Sequence, residues 1–202
     1  MLADRSRYMR GLILALVLVL ALTLTPHNAT AKSLAIWDTL QGTNPKGYVL
    51  LMRHALAPGV GDPADFRVGD CSTQRNLNDQ GRQDAREIGQ WLKRREVKIL
   101  RVESSRWCRA KETAELLGLG RVRLNKNLDS LFQDEDALND PQTANIRKRI
   151  ISHRNTSGVL VFVGHFVNIS AAVGVGVESG EGVLVRANAQ GQIKVMGYSP
   201  KP

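Results

Sequence analysis

The chain has 202 residues and a formal net charge of +9, enough for one ordinary domain with a sizeable core. A chain this basic suits anionic ligands: phosphorylated small molecules, a lipid headgroup or nucleic acid. No basic-aromatic interleaving and no nucleic-acid motif is visible, so nucleic acid is set aside as a partner.

The first 31 residues read as a targeting segment. Arg5, Arg7 and Arg10 precede the apolar run Gly11 to Leu24, and Ala29-Thr30-Ala31 supplies small residues for cleavage. A basic start, a short apolar core and an A-x-A end make a secretory signal peptide. The apolar run is 14 residues long, whereas a membrane span needs about 20. The expectation is therefore a periplasmic or secreted protein with no stable span after cleavage, an uncleaved anchor being the alternative. Residues 32–202 then form a single domain, and loss of residues 1–31 lowers the net charge from +9 to +7.

Lys32 to Lys46 is a lead-in with a small apolar cluster around Ile36 and Trp37. Tyr48 to Met52 is a short continuous apolar run and predicts a buried strand, ending in Arg53 and His54. Ala55 to Gln74 is a long loop with several Gly and Pro residues, a length that usually carries function. A helix starts near Asn78, a good cap, with Ala85, Ile88 and Leu92 as its buried stripe. A second apolar segment, Val97 to Val102, ends in Ser104-Ser105. A second helix covers about 106–117 and is stopped by Gly118. A short strand covers 122–124, and residues 126–145 read as an acidic surface excursion.

A basic helix covers about 141–153, with His153 expected at the surface. Val159 to Val163 is a second buried strand, ending in Gly164-His165. Residues 183–186 and 193–196, joined through Asn188-Ala189-Gln190-Gly191, signal a hairpin. Strands alternating with helices and closed by a hairpin indicate an α/β three-layer sandwich with a mostly parallel central sheet.

Ligands in such sheets bind outside the carboxyl ends of the strands. Arg53, His54, Arg109 and His165 all lie at or just beyond strand ends, so they can converge. Two histidines and two arginines suit phosphoryl transfer through a phosphohistidine. A neutral imidazole attacks phosphorus, and guanidinium forks steady the phosphate oxygens. The structural alternatives are a solvated Arg109 on its helix and a satisfied buried His165. No Cys/His/carboxylate spacing argues for a metal, so neither metal nor other cofactor is expected.

Four segments also carry a family resemblance. Leu51-Met52-Arg53-His54-Ala55 resembles the R-H-G signature of the histidine phosphatase (phosphoglycerate mutase-like) superfamily, with alanine for glycine. Arg75-Asn76-Leu77-Asn78, with Gly81 and Ala85 following, resembles the start of that family's first helix. Ser104-Ser105, with Arg109, Ala110, Thr113 and Ala114, resembles a third motif, and Val163-Gly164-His165 the strand end of the second histidine. The resemblance spans residues 47–197 in order. It implies a phosphoglycerate mutase-like fold, His54 as nucleophile, and Arg53, Arg109 and His165 as phosphate holders.

The family's proton donor does not carry over cleanly, because no carboxylate follows His165. Asp129 is the first choice, with Asp134 and Glu135 nearby. Asn168 either touches the phosphate or caps a helix.

The resulting expectation is an exported phosphomonoester hydrolase acting on a phosphorylated small molecule or an envelope glycolipid phosphate. Compact exported members of the family act on lipopolysaccharide heptose phosphate, and this chain looks similar to them. The alternatives are a non-catalytic phosphate-binding module and a phosphohistidine-protein phosphatase. Cys71 and Cys108 are the only cysteines. Export permits a bond between them, and a phosphate shared by His54 and Arg109 would bring them to one sheet edge. Two buried thiols are the other possibility.

Overall fold

The structure is a computed structural model that describes residues 35–43 and 45–200. The expected signal segment lies outside the described residues. A six-stranded sheet runs in the order β3-β2-β4-β1-β5-β6. Its strands are β1 (Tyr48–Arg53), β2 (Ile99–Ser104), β3 (Val122–Leu124), β4 (Val159–Gly164), β5 (Gly182–Ala187) and β6 (Ile193–Tyr198). The first four are parallel; β5 pairs antiparallel with β1, and β6 antiparallel with β5.

The two continuous apolar runs of the sequence are the central pair, in register from Val49 against Leu160 to Arg53 against Gly164. Their lack of alternation follows from burial on both faces. Leu50, Met52, Val161 and Val163 pack with α1 (Asp79–Arg94) and α2 (Cys108–Leu116) on one side. Val49, Leu51, Leu160 and Phe162 pack with α3 (Pro141–His153) and α4 (Phe166–Val173) on the other. The result is the three-layer sandwich expected.

Local chemistry sets the helix ends. Asn78 Oδ1 accepts the Gly81 N–H at 2.8 Å and starts α1. Gly81 is required there, because a Cβ would lie 2.2 Å from the carbonyl oxygen of Leu56. Asp140 caps α3, with Pro141 in its first turn, where the missing N–H costs nothing. Gly174, at φ +75°, ends α4 in the left-handed conformation.

Three features differ from the sequence expectations. Helix α4 starts two residues before Asn168, its alternative cap: its apolar residues follow β4 almost without a break, and no side chain caps its start. His153 is buried rather than exposed, with its Nε2 2.8 Å from the Gly158 carbonyl oxygen. The 126–145 segment is not purely a surface excursion, since Leu128, Leu131 and Ala137 anchor it in the core. The lead-in is also structural: Trp37 is fully buried, meets Trp91 edge-on at 5.2 Å, and donates to the Tyr198 carbonyl at 2.7 Å. Among the described residues no helix is long and apolar enough to cross a membrane.

Cys71 and Cys108 form a disulfide, with Cα atoms 5.6 Å apart. It staples the end of the long loop to the first residue of α2. Gln74 reinforces the junction: its side-chain oxygen accepts the Cys108 N–H at 2.9 Å, and its amide donates to the Arg67 carbonyl at 2.9 Å. A bridge with a sequence separation of 37 stabilises by about 4 kcal/mol in the chain-entropy model. We therefore expect the Cys71→Ala/Cys108→Ala protein to melt roughly 10 °C lower. A Tm within one or two degrees of the wild type in scanning calorimetry would contradict this.

Candidate active site

The site is assembled by backbone bonds at the ends of three adjacent strands. The His54 N–H donates to the Gly164 carbonyl at 2.9 Å, locking the residue after β1 to the end of β4. The Ser105 N–H donates to the Val163 carbonyl at 2.9 Å and aligns the end of β2 with the same place. Thr113 ties in the helix: its hydroxyl donates to the Arg109 carbonyl at 2.7 Å and accepts the Ala55 N–H at 3.0 Å. The end of β1 and helix α2 are thus joined through one buried side chain.

His54 is buried, and its Nδ1 lies 2.8 Å from the Ala55 carbonyl oxygen. A carbonyl can only accept, so Nδ1 carries the proton and Nε2 keeps its lone pair. Burial, opposed by the Ala55 bond and helped by the charges of Arg109, Arg53 and Arg75, pushes the pKa of His54 down to about 3. At neutral pH the ring is an uncharged base. His165, 5.4 Å away between ring centroids, is also buried, with Nε2 2.9 Å from Ser105 Oγ. Burial, then His54 and the arginines, holds it well below its ordinary pKa.

Arg109 is only 2% exposed. Its Nη1 and Nη2 hold Asp62 at 2.6 and 3.1 Å, and its Nε–H lies 3.2 Å from His54 Nε2. Asp62 takes the end of the guanidinium, so the side edge, Nε–H and the second Nη2–H, is turned toward His54. That edge suits two phosphate oxygens. Asp62 is itself fixed by the Arg75 N–H at 3.1 Å and the Trp107 indole at 3.0 Å. Burial pushes its carboxyl up, but Arg109, aided by the Arg75 and Trp107 donors, outweighs this and holds it below the usual carboxylate range.

These groups open onto a cavity of about 470 Å³ that Arg53, Arg75, Arg109, His54 and His165 line together. The expected four therefore meet. Arg75 joins them, bracing the loop through its Nε–H to the Gly61 carbonyl at 2.8 Å and its Nη1 to the Ala57 carbonyl. Among the described residues no group of three or more His, Cys, Asp or Glu side chains is placed to hold a metal.

Two expected residues do not face the cavity. Asp129 is buried beside it, turned onto Arg106, which it holds through Nη2 at 2.5 Å, Nε at 2.7 Å and the backbone N–H at 2.9 Å. Its Oδ1 also accepts the Ser105 hydroxyl at 3.4 Å, so the carboxylate is taken up by neighbours and does not line the cavity. Asn168 neither touches the cavity nor caps α4; its amide donates to the Asp129 carbonyl at 2.8 Å and its oxygen accepts the Leu131 N–H at 3.2 Å. Both residues brace the segment under the cavity, and Asp134 and Glu135 do not line it either. Asp62, Arg75 and Thr113 were missed. Arg75 and Thr113 stood inside recognisable motifs; Asp62 lies in a loop whose path no periodicity reveals.

His54 is uncharged in the fold down to about pH 3, whereas in the unfolded chain it protonates near 6.5. The unfolded state then binds more protons below pH 6.5, so stability is full above that value and falls on acidification. At about 1.4 kcal/mol per unit, the loss reaches several kcal/mol by pH 4. We expect His54→Asn to flatten this acid limb in Tm measured from pH 7 to pH 4; an unchanged slope would contradict it. Arg109→Ala should lower kcat/KM about 10²–10³-fold on a phosphomonoester. Asp62→Ala should cost less, since it removes the holder and not the contact; an equal or larger loss in steady-state assays would contradict that.

The family model of the histidine phosphatase superfamily (branch 1) matches residues 49–136. No curated protein matches the sequence. Among solved structures, a protein histidine phosphatase, SixA, complexed with tungstate superposes with a TM-score of 0.58 at 17% identity, covering 75% of this chain and 96% of that one. A phosphoserine phosphatase mutant from Entamoeba histolytica in complex with phosphoserine gives 0.54 at 14% identity, with 75% and 96% covered. A mycobacterial glucosyl-3-phosphoglycerate phosphatase complexed with VO3 gives 0.53 at 16%, with 75% and 97% covered. At these identities the likeness concerns the fold. Over residues 49–136 the chain thus resembles the histidine phosphatase superfamily, on a phosphoglycerate mutase-like fold.

Proposed function

We propose that this protein hydrolyses phosphomonoesters through a phosphohistidine on His54. The observation that carries the reading is a neutral buried imidazole whose proton is held on Nδ1 by Ala55, leaving Nε2 beside the Arg109 guanidinium. Its Nε2 attacks phosphorus while Arg53, Arg75 and Arg109 neutralise the three phosphate oxygens. The incoming dianion raises the pKa of His165, which can then donate to the same oxygens. Water subsequently attacks the phosphohistidine, releasing inorganic phosphate.

Export of the mature protein belongs to the same proposal. It is supported by the signal-like segment 1–31 and by a disulfide, a bond that persists in oxidising compartments. A non-catalytic phosphate-binding module is the second reading. It is favoured by the side chain of Asp129, which turns from the cavity and leaves it without the expected acid.

Rapid quench under neutral or alkaline conditions with labelled p-nitrophenyl phosphate separates the two. We expect an acid-labile, base-stable phosphoenzyme in the wild type and none in His54→Ala. A label retained by His54→Ala would move the nucleophile elsewhere; no label and no turnover in the wild type would leave a binding module.

A further inference from the structure

Above the phosphate-binding floor the cavity changes character. Val60, Phe132 and Phe166 line its outer wall and are 85%, 54% and 45% exposed. Three large apolar side chains this open around one opening mark a binding surface rather than unburied core. The two rings are held in place. Phe132 lies over Gly61, where a Cβ would sit 3.8 Å from its ring, and Phe166 packs on Gly176 and beneath the Arg53 guanidinium at 5.7 Å. The polar groups of this wall are few. Ser130 offers one hydroxyl, and the Asp62 carboxylate is spent on Arg109, Arg75 and Trp107. A polyhydroxylated sugar would lose its hydration here and find almost nothing to replace it.

The second observation concerns the leaving group. Among the described residues Asp62 is the only carboxylate lining the cavity, and its bonds to Arg109 keep it ionised. Asp129 faces away, onto Arg106. Among the described residues that line the cavity, none is therefore a carboxylic acid free to protonate a departing oxygen, a contribution worth about 10²–10⁴-fold in rate where it exists. An alkoxide leaves poorly without that help. A phenolate, whose charge spreads into its ring, leaves without it.

We propose that the substrate is an aryl phosphomonoester, with its ring against Val60, Phe132 and Phe166 and its phosphate on the arginines. This rests on the phosphatase reading above. As the bond from His54 Nε2 to phosphorus forms, the bond from phosphorus to the phenol oxygen breaks. The electron pair leaves with that oxygen, which takes its proton from water. A second water then releases phosphate and restores the imidazole, so the products are a phenol and inorganic phosphate.

The test is a kcat/KM panel of phenyl phosphate, p-nitrophenyl phosphate, a phosphotyrosine peptide, glycerol 2-phosphate, glucose 6-phosphate and acetyl phosphate. We expect the aryl esters to exceed the alkyl and sugar esters by at least about 100-fold, with a steep dependence on leaving-group acidity. The faster of phenyl phosphate and the peptide identifies the source of the ring. Acetyl phosphate has a good leaving group and no ring, so it isolates the apolar contact. Phe132→Ser should lower the phenyl-to-acetyl ratio of kcat/KM about tenfold. Sugar phosphates equal to aryl esters, or an unchanged ratio in Phe132→Ser, would overturn the aryl assignment while leaving a phosphatase. No turnover of any ester, with no phosphoenzyme, would overturn both.

Discussion

A buried guanidinium cannot shed its proton and cannot stay unpaired, and Arg109 sits 2% exposed at the heart of this molecule. Asp62 meets that demand, and much of the surrounding architecture exists to deliver Asp62. The loop after β1 must travel out, turn and come back to place one carboxylate on the end of one guanidinium. Trp107 and Arg75 hold the carboxylate, Arg75 grips the loop carbonyls, and the Phe66 ring stacks on Trp107 at 4.8 Å. Remove the pairing and the loop keeps only its ties through the disulfide, Gln74 and Arg75.

The same enclosure decides the state of the histidines. Positive charge from three arginines and the cost of burial both oppose an imidazolium, so the rings stay neutral without any base to deprotonate them. A phosphate dianion reverses the balance, because it brings negative charge to set against three arginines of which Asp62 pairs directly with one. The site is electrostatically incomplete alone and complete with its ligand, which is the arrangement that lets fixed charges favour a transition state over solvent.

The parts legible in the sequence were those dictated by short-range patterns. The strand runs 48–52 and 159–163, the Asn78 cap, Pro141 at the start of α3 and the turn at Gly191 each announce themselves within a few residues. His54, Arg109 and His165 were findable because strand ends share an edge. Asp129 and Asn168 were misjudged because proximity in sequence to the site says nothing about which way a side chain turns; each was claimed by a neighbour, Arg106 and the 129–131 backbone. Asp62 was invisible because its position depends on the whole course of a loop, and the start of α4 because its apolar residues continue those of β4.

The disulfide joins residues on either side of α1: Cys71 comes before the helix and Cys108 after β2. In the fold their Cα atoms stand 5.6 Å apart, so the bond closes a loop that holds α1 and β2. Two cysteines allow a single pairing within the chain. Oxidation therefore has no scrambled isomer to escape from, and the protein can mature without any enzyme that reshuffles bonds.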